Sequence, residues 1–284
     1  LEALEGKDRA KTRPTPARVA EVQKQADTAV ACLDAIKHTS WGKPKGREGT
    51  MQIWHAAKGK VHHFKVHATF DGTPVAFLSL LREWDLIPTW NKFVPKAPVV
   101  SETLVTVRGG AELYLPPPFA NRGVMFDASG VDLLDSHACL VCTWATTEGA
   151  MTAMPPELKK LEPAFFEQSA FVIEPRASSK RPPGSRVADR CECQFMVAIN
   201  PGSLWVPGWL IDTILTVIAP FIYKEVVTLL KSISGSYAKR IEQRAALYGP
   251  LVGRVNDLVN RDAGAPEEAA SSASSTPRAA GAKK

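Results

Sequence analysis

The chain has 284 residues, 45% of them hydrophobic and 23% charged, the balance of an ordinary soluble globular protein. Its net charge of +6 and pI near 9.1 favour an anionic partner, nucleic acid or a membrane surface, without separating the two. An odd number of cysteines set among apolar residues (Cys32, Cys139, Cys142, Cys191 and Cys193) argues against a disulfide framework and for a reducing compartment.

Residues 1–16 are polar and read as a disordered tail. A helix follows over 17–37, where Val19, Val22, Ala26, Ala29, Leu33 and Ile36 recur at helical spacing. Residues 42–49 break it. Strands 50–57 and 61–70 form a hairpin around Lys58-Gly59-Lys60, with Phe64, Val66, Ala68 and Phe70 on one face. Pro74 opens a helix over 74–83, and a second short helix covers 85–91.

The middle is β-rich: 99–107 and 111–115 around a Gly109-Gly110 turn, then 123–134, 138–147, 165–174 and 190–199. Pro116-Pro117-Pro118 enforces a loop, since none of the three donates a backbone hydrogen bond. Residues 176–190 form a long basic loop. One rod-like helix is expected over 207–260, bent at Pro220 and weakened at Gly235 and Gly249-Pro250. Residues 261–284 are an Ala/Ser-rich disordered tail, which leaves 17–260 as the folded domain.

The run 204–223 has about the ~20 residues a bilayer span requires. Asp212 within it would cost roughly 2.5–3.5 kcal/mol at the bilayer centre, and Pro207 shortens the helix. A buried or ligand-covering helix is the better reading. Its apolar residues cover more than one stripe, more than a small core needs.

Other chemistries fare poorly. His63 and His67 on a strand lie about 13 Å apart at ~3.3 Å per residue, too far for one zinc. Cys139 and Cys142 point to opposite faces. Asp135, Ser136 and His137 are consecutive and cannot converge as a triad, and no GxSxG, P-loop or GxGxxG is present. The positive charge lies mostly in loops and the N-terminal tail rather than on one ordered stripe, so no nucleic-acid partner is expected. Neither a metal, a cofactor nor a catalytic residue set is called for. The second reading is an interaction or scaffold module with a filled interior, the third a cavity enzyme.

Three segments carry a resemblance. FLSLLREWDLIPTWNKFV (77–94), LYLPPPFANR (113–122) and FMVAINPGSLWVPGWLID (195–212) occur in the order, and with the topology, of StAR-related lipid-transfer (START) domains, over about residues 50–235. Asn200 departs from the common Asp. The resemblance implies an α+β helix-grip fold, a curved antiparallel sheet wrapped around a long C-terminal helix. It also implies one lipid or sterol held in an internal cavity, for transfer between membranes or for sensing, without a cofactor.

Ligand contacts would then come from Phe64, Phe77, Leu81, Trp84, Trp144, Phe171, Phe195, Trp209, Ile214, Ile218 and Phe221. Arg108 would pair in the cavity with Asp127, or with Glu102 or Asp132, since a buried charge needs a partner. Lys180, Arg181, Arg186 and Trp205 are expected to meet an anionic membrane, at about 1 kcal/mol per basic residue. The expected location is intracellular, cytoplasmic or organelle-associated. No secretory signal is visible, and because the sequence opens on Leu1 a targeting segment upstream is left open.

Overall fold

A computed structural model of the chain describes residues 15–38, 41–47, 50–178 and 186–262. Apart from 15–16 and 261–262, the expected tails lie outside the described residues.

The first helix, α1 (Pro16–His38), is followed by β1 (Lys45–Arg47), β2 (Met51–Lys58) and β3 (Val61–Asp71). Gly59 turns the β2–β3 hairpin at φ +61, a backbone angle that glycine adopts without steric cost. Along β3 every second residue is buried, from Phe64 to Phe70, as alternation requires. Next comes α2 (Pro74–Arg82). Its Thr73 cap accepts from the Ala76 N–H at 3.1 Å, and proline sits where no donor is needed. A 3₁₀ turn, Trp84–Thr89, replaces the second short α-helix.

The central strands are β4 (Val99–Glu102), β5 (Thr106–Leu113), β6 (Arg122–Leu133) and β7 (Cys139–Ala145), with α3 (Leu134–His137) between the last two. Here one expectation fails. Gly109-Gly110 is not a turn but the middle of β5, and the chain reverses between Thr103 and Thr106 instead. The glycines serve close packing: a Cβ on Gly110 would lie 2.5 Å from both Leu158 Cδ1 and Met125 Sδ.

After α4 (Glu148–Thr152) and α5 (Pro156–Lys159) come β8 (Glu162–Pro163), β9 (Phe165–Phe166), β10 (Ser169–Arg176) and β11 (Arg190–Asn200). The single strand expected over 165–174 is thus two. The main sheet runs β1-β2-β3-β11-β10-β7-β6-β5-β4, each neighbour antiparallel, so the last strand joins the first hairpin to the central meander. Helix α1 covers the outer face: Ala29, Cys32, Leu33 and Ile36 pack with Val141, Ala170, Val172 and Met196.

The C-terminal rod is broken. It comprises α6 (Gly208–Thr213), a π-helical turn (Ile214–Ile218), α7 (Ala219–Lys231), α8 (Gly235–Gln243) and α9 (Ala245–Asp262). The π turn sits just ahead of Pro220, which has no N–H to give the normal i−4 bond. Gly235 at φ +59 starts α8 after a three-residue break, whereas α9 runs through Gly249-Pro250 without stopping. Helix α7 lies on β3, where Tyr223 packs on Phe70 at 5.2 Å. Helix α9 lies on β10, α2 and α3.

Candidate ligand cavity

Between the inner face of the sheet, α2 and α9 lies a cavity of about 630 Å³. Its origin is legible in β6. The pleat sends Phe126, Ala128 and Gly130 inward, and the last two supply a methyl group and nothing. A Cβ on Gly130 would meet only the Val105 carbonyl, at 3.8 Å. The wall is completed by Val107, Leu140, Cys142 and Trp84, and by Trp144, Phe166 and Phe171. Trp84 Nε1 donates to the Gly110 carbonyl at 2.7 Å, which spends its only polar atom outside the hollow, and its ring meets Phe126 edge-on at 4.8 Å. Burial pushes the Cys142 thiol up to about 12, so it stays neutral.

The roof is α9, through Ala246, Leu247, Pro250, Leu251 and Arg254. Ion pairs fasten it at both ends. At its start, Arg244 Nε lies 3.1 Å from Glu83 and Nη2 lies 2.7 Å from Glu102. Glu102 also receives Arg82 at 2.9 Å, and Arg240 of α8 spans Glu83 and Asp85. Burial opposes ionisation of Glu102, but the hydrogen bonds from Arg244 and Arg82 outweigh it and hold the carboxyl below its usual range. Ten residues on, Arg254 pairs with Asp132 at 2.7 Å and Asp135 at 2.9 Å, and Arg261 also reaches Asp135.

Of the residues expected to touch ligand, the structure places Leu81, Trp84, Trp144 and Phe171 on the wall. Phe195 stacks behind Phe171 at 4.6 Å, and Phe77 sits against Phe70 and Phe171, both as backing rather than lining. Phe64 lies apart, beside His55 at 5.0 Å.

Arg108 and Asp127 do pair, Nε to Oδ1 at 2.7 Å and Nη2 to Oδ2 at 3.0 Å, but they are not in the cavity. Their neighbours Val107 and Phe126 face inward, so alternation turns both charges to the outer face, where Thr147 adds a 2.6 Å hydrogen bond to Asp127. Burial works against ionisation of Asp127, but Arg108 and Thr147 prevail and keep its carboxyl low.

Trp209, Ile214, Ile218 and Phe221 also miss the cavity: α7 lies on β3 and the π turn beside β1, and none of the four lines the hollow. Trp209 stacks on Phe119 of the proline loop at 5.5 Å and remains 47% exposed. Phe221 meets Phe93 edge-on, with the Lys92 ammonium 4.2 Å from its ring centre. Gly208–Lys231 is long and apolar enough to cross a membrane, yet only 17% of its most apolar window is buried. Trp205 is 78% exposed. Arg186 is clasped to α9, its N–H donating to Asn260 at 3.1 Å and its carbonyl accepting at 2.9 Å. Lys180 and Arg181 lie outside the described residues.

Sequence reasoning missed Arg82, Arg254 and the α9 roof. The signal was present: Leu247, Leu251, Val255 and Leu258 form a stripe at spacings of four and three, and Arg82 ends a helix whose only other polar side chain is Ser79. No group of His, Cys, Asp and Glu among the described residues has the geometry to hold a metal ion.

No family model matches the chain, and no curated protein is significantly similar to it in sequence. Solved structures are similar to it in fold. Human STARD10 is 15% identical over 84% of this chain and 89% of its own, with a TM-score of 0.53. Human StAR-related lipid transfer protein 5 is 10% identical over 75% of this chain and 97% of its own, at 0.58. A STAR-related lipid transfer protein from Xanthomonas axonopodis is 12% identical over 68% of this chain and 100% of its own, at 0.51. The chain has the START-like helix-grip fold.

Proposed function

We propose that this chain encloses a single lipid or other hydrophobic ligand in the cavity beneath α9 and carries it between membranes or reports its presence. The observation that carries the reading is the hollow itself. A packed core closes such space with side chains, whereas β6 places Ala128 and Gly130 opposite a roof of leucines. The volume falls in the roughly 300–1,000 Å³ range of sites that enclose a small molecule, and a wall so rich in aromatic and aliphatic groups favours an apolar guest. The likeness in fold to StAR-related lipid transfer proteins points the same way. A scaffold module with a filled interior fits this hollow less well.

A second surface supports a membrane-dependent role. Trp205, Trp209 and Val217 are exposed, and Lys92 stands over Phe221. Exposed indole rings and a lysine suit the interface of an anionic bilayer. Contact there would bring the proline loop, through Phe119, to the lipid.

The test is extraction of a fluorescent lipid from donor vesicles and its delivery to acceptors. Stoichiometric uptake, at one lipid per chain, is expected. Absence of uptake over a panel of sterols, fatty alcohols and phospholipids would sink the reading.

A further inference from the structure

We infer that the ligand is a neutral amphiphile with one hydrogen-bond acceptor at its end, and that Arg82 is the residue that receives it. The inference rests on the reading that the cavity holds a lipid.

Arg82 borders the cavity and is only 9% exposed. Nη1 donates to Glu102 at 2.9 Å and Nη2 to the Thr103 carbonyl at 2.6 Å, while Nε has no hydrogen-bond partner among the described residues. A buried donor on a cation left without an acceptor is costly. Nε has no surface open to the hollow as it stands, so the side chain must turn before a ligand oxygen reaches it and removes that cost.

Charge decides what kind of oxygen fits. At this end Arg82, Arg240 and Arg244 are matched by Glu83, Asp85 and Glu102. At the other end Arg254 and Arg261 are matched by Asp132 and Asp135. Among the described residues, neither end holds a surplus cation. A phosphate or carboxylate would add an uncompensated negative charge to a half-closed site, whereas a hydroxyl or carbonyl oxygen accepts the bond and adds none. Arg244 and Arg254 lie ten residues apart, about 15 Å along α9 at ~1.5 Å per residue. The wall between them is apolar, through Leu247, Leu251 and Phe171. That geometry fits one elongated apolar body with its polar atom at the α2 end.

The experiment compares hexadecanol, hexadecanoate and hexadecane on the full chain at about pH 8, where the acid is ionised, by displacement of a bound fluorescent fatty alcohol. Hexadecanol is expected to bind about tenfold more tightly than either of the others. Arg82→Gln should erase its advantage over hexadecane and leave hexadecane unchanged; if that variant does not fold, the three probes on the native chain still decide. Equal or tighter binding of hexadecanoate overturns the charge argument, and equal binding of hexadecane overturns the role of Arg82. If the fluorescent alcohol itself fails to bind, the cavity reading falls as well, and the two failures are thereby told apart.

Discussion

Tyr248 of α9 donates its phenol to the Glu83 carboxylate at 2.8 Å, across 165 residues of sequence, with both side chains sealed from solvent. Burial and the adjoining carboxylate push the phenol well above its usual pKa, so it remains a donor at every physiological pH. The bond ties the roof of the cavity to α2. Tyr248→Phe leaves the packing and removes the bond to a charged acceptor; a loss of about 2 kcal/mol is expected in urea unfolding. Glu83→Gln takes one of two carboxylate partners from both Arg244 and Arg240 and also weakens the Tyr248 bond, and is expected to cost more, about 3 kcal/mol. Equal stability of Tyr248→Phe and the native chain would show that the roof is held by something else.

Filling the hollow tests the cavity from inside. Ala128→Trp projects an indole into the space that β6 leaves open. Lipid uptake should fall by more than about tenfold with the melting temperature near that of the native chain, since the ring enters existing volume and displaces no packed atoms. Normal uptake would place the ligand elsewhere.

Arg108 supplies the opposite control. Its pair with Asp127 lies on the outer face, each side chain 35% exposed. Arg108→Ala is expected to leave lipid affinity unchanged and to cost under about 1 kcal/mol. A large drop in affinity would contradict the assignment of faces in β5 and β6.

Much of the architecture could be read from residue patterns. The β2–β3 hairpin followed from its alternation and Gly59, and the α+β order followed from the change of period after Phe70. Three features could not. Gly109-Gly110 signals a turn locally, and only the positions of Leu158 and Met125 reveal that the glycines make room. The Arg108–Asp127 pair was foreseeable as a pair, but which face it occupies depends on sheet register, where a one-residue shift reverses every side chain. Ligand contacts are expected on Trp209, Ile214, Ile218 and Phe221 because the run 204–223 is the most apolar, yet apolarity measures affinity for any greasy surroundings, a bilayer included. The helix that roofs the cavity is α9, whose leucine stripe is modest and whose hold comes from arginines.

The roof should respond to acid and not to neutral pH. Glu102 has a folded pKa below its ordinary value near 4.5, so its contribution is present above that value and is lost as pH falls through the lower folded value. Hydrogen exchange in α9 is expected to be flat from about pH 6 to 8, once intrinsic rates are removed, and to quicken only below about pH 4.5. Loosening that sets in between about pH 6.5 and 4.5 would point instead to the His55–His62 pair, whose nitrogens lie 3.1 Å apart and whose pKa values are both lowered by burial.

Membrane contact is expected to depend on α6 and its approach. Trp205→Ala removes an exposed ring with little effect on stability, and Trp209→Ala also unstacks Phe119. Cosedimentation with anionic vesicles should fall several-fold in each and further in the double variant. Unchanged binding would assign the exposed rings to a protein partner.

Mass spectrometry of the full chain, purified without detergent and sprayed under native conditions, puts the enclosed hollow to its most direct trial. A single added mass per chain is expected, released on unfolding as an uncharged lipid and missing from Ala128→Trp. A chain that carries no added mass, and acquires none after incubation with mixed vesicles, would contradict the account.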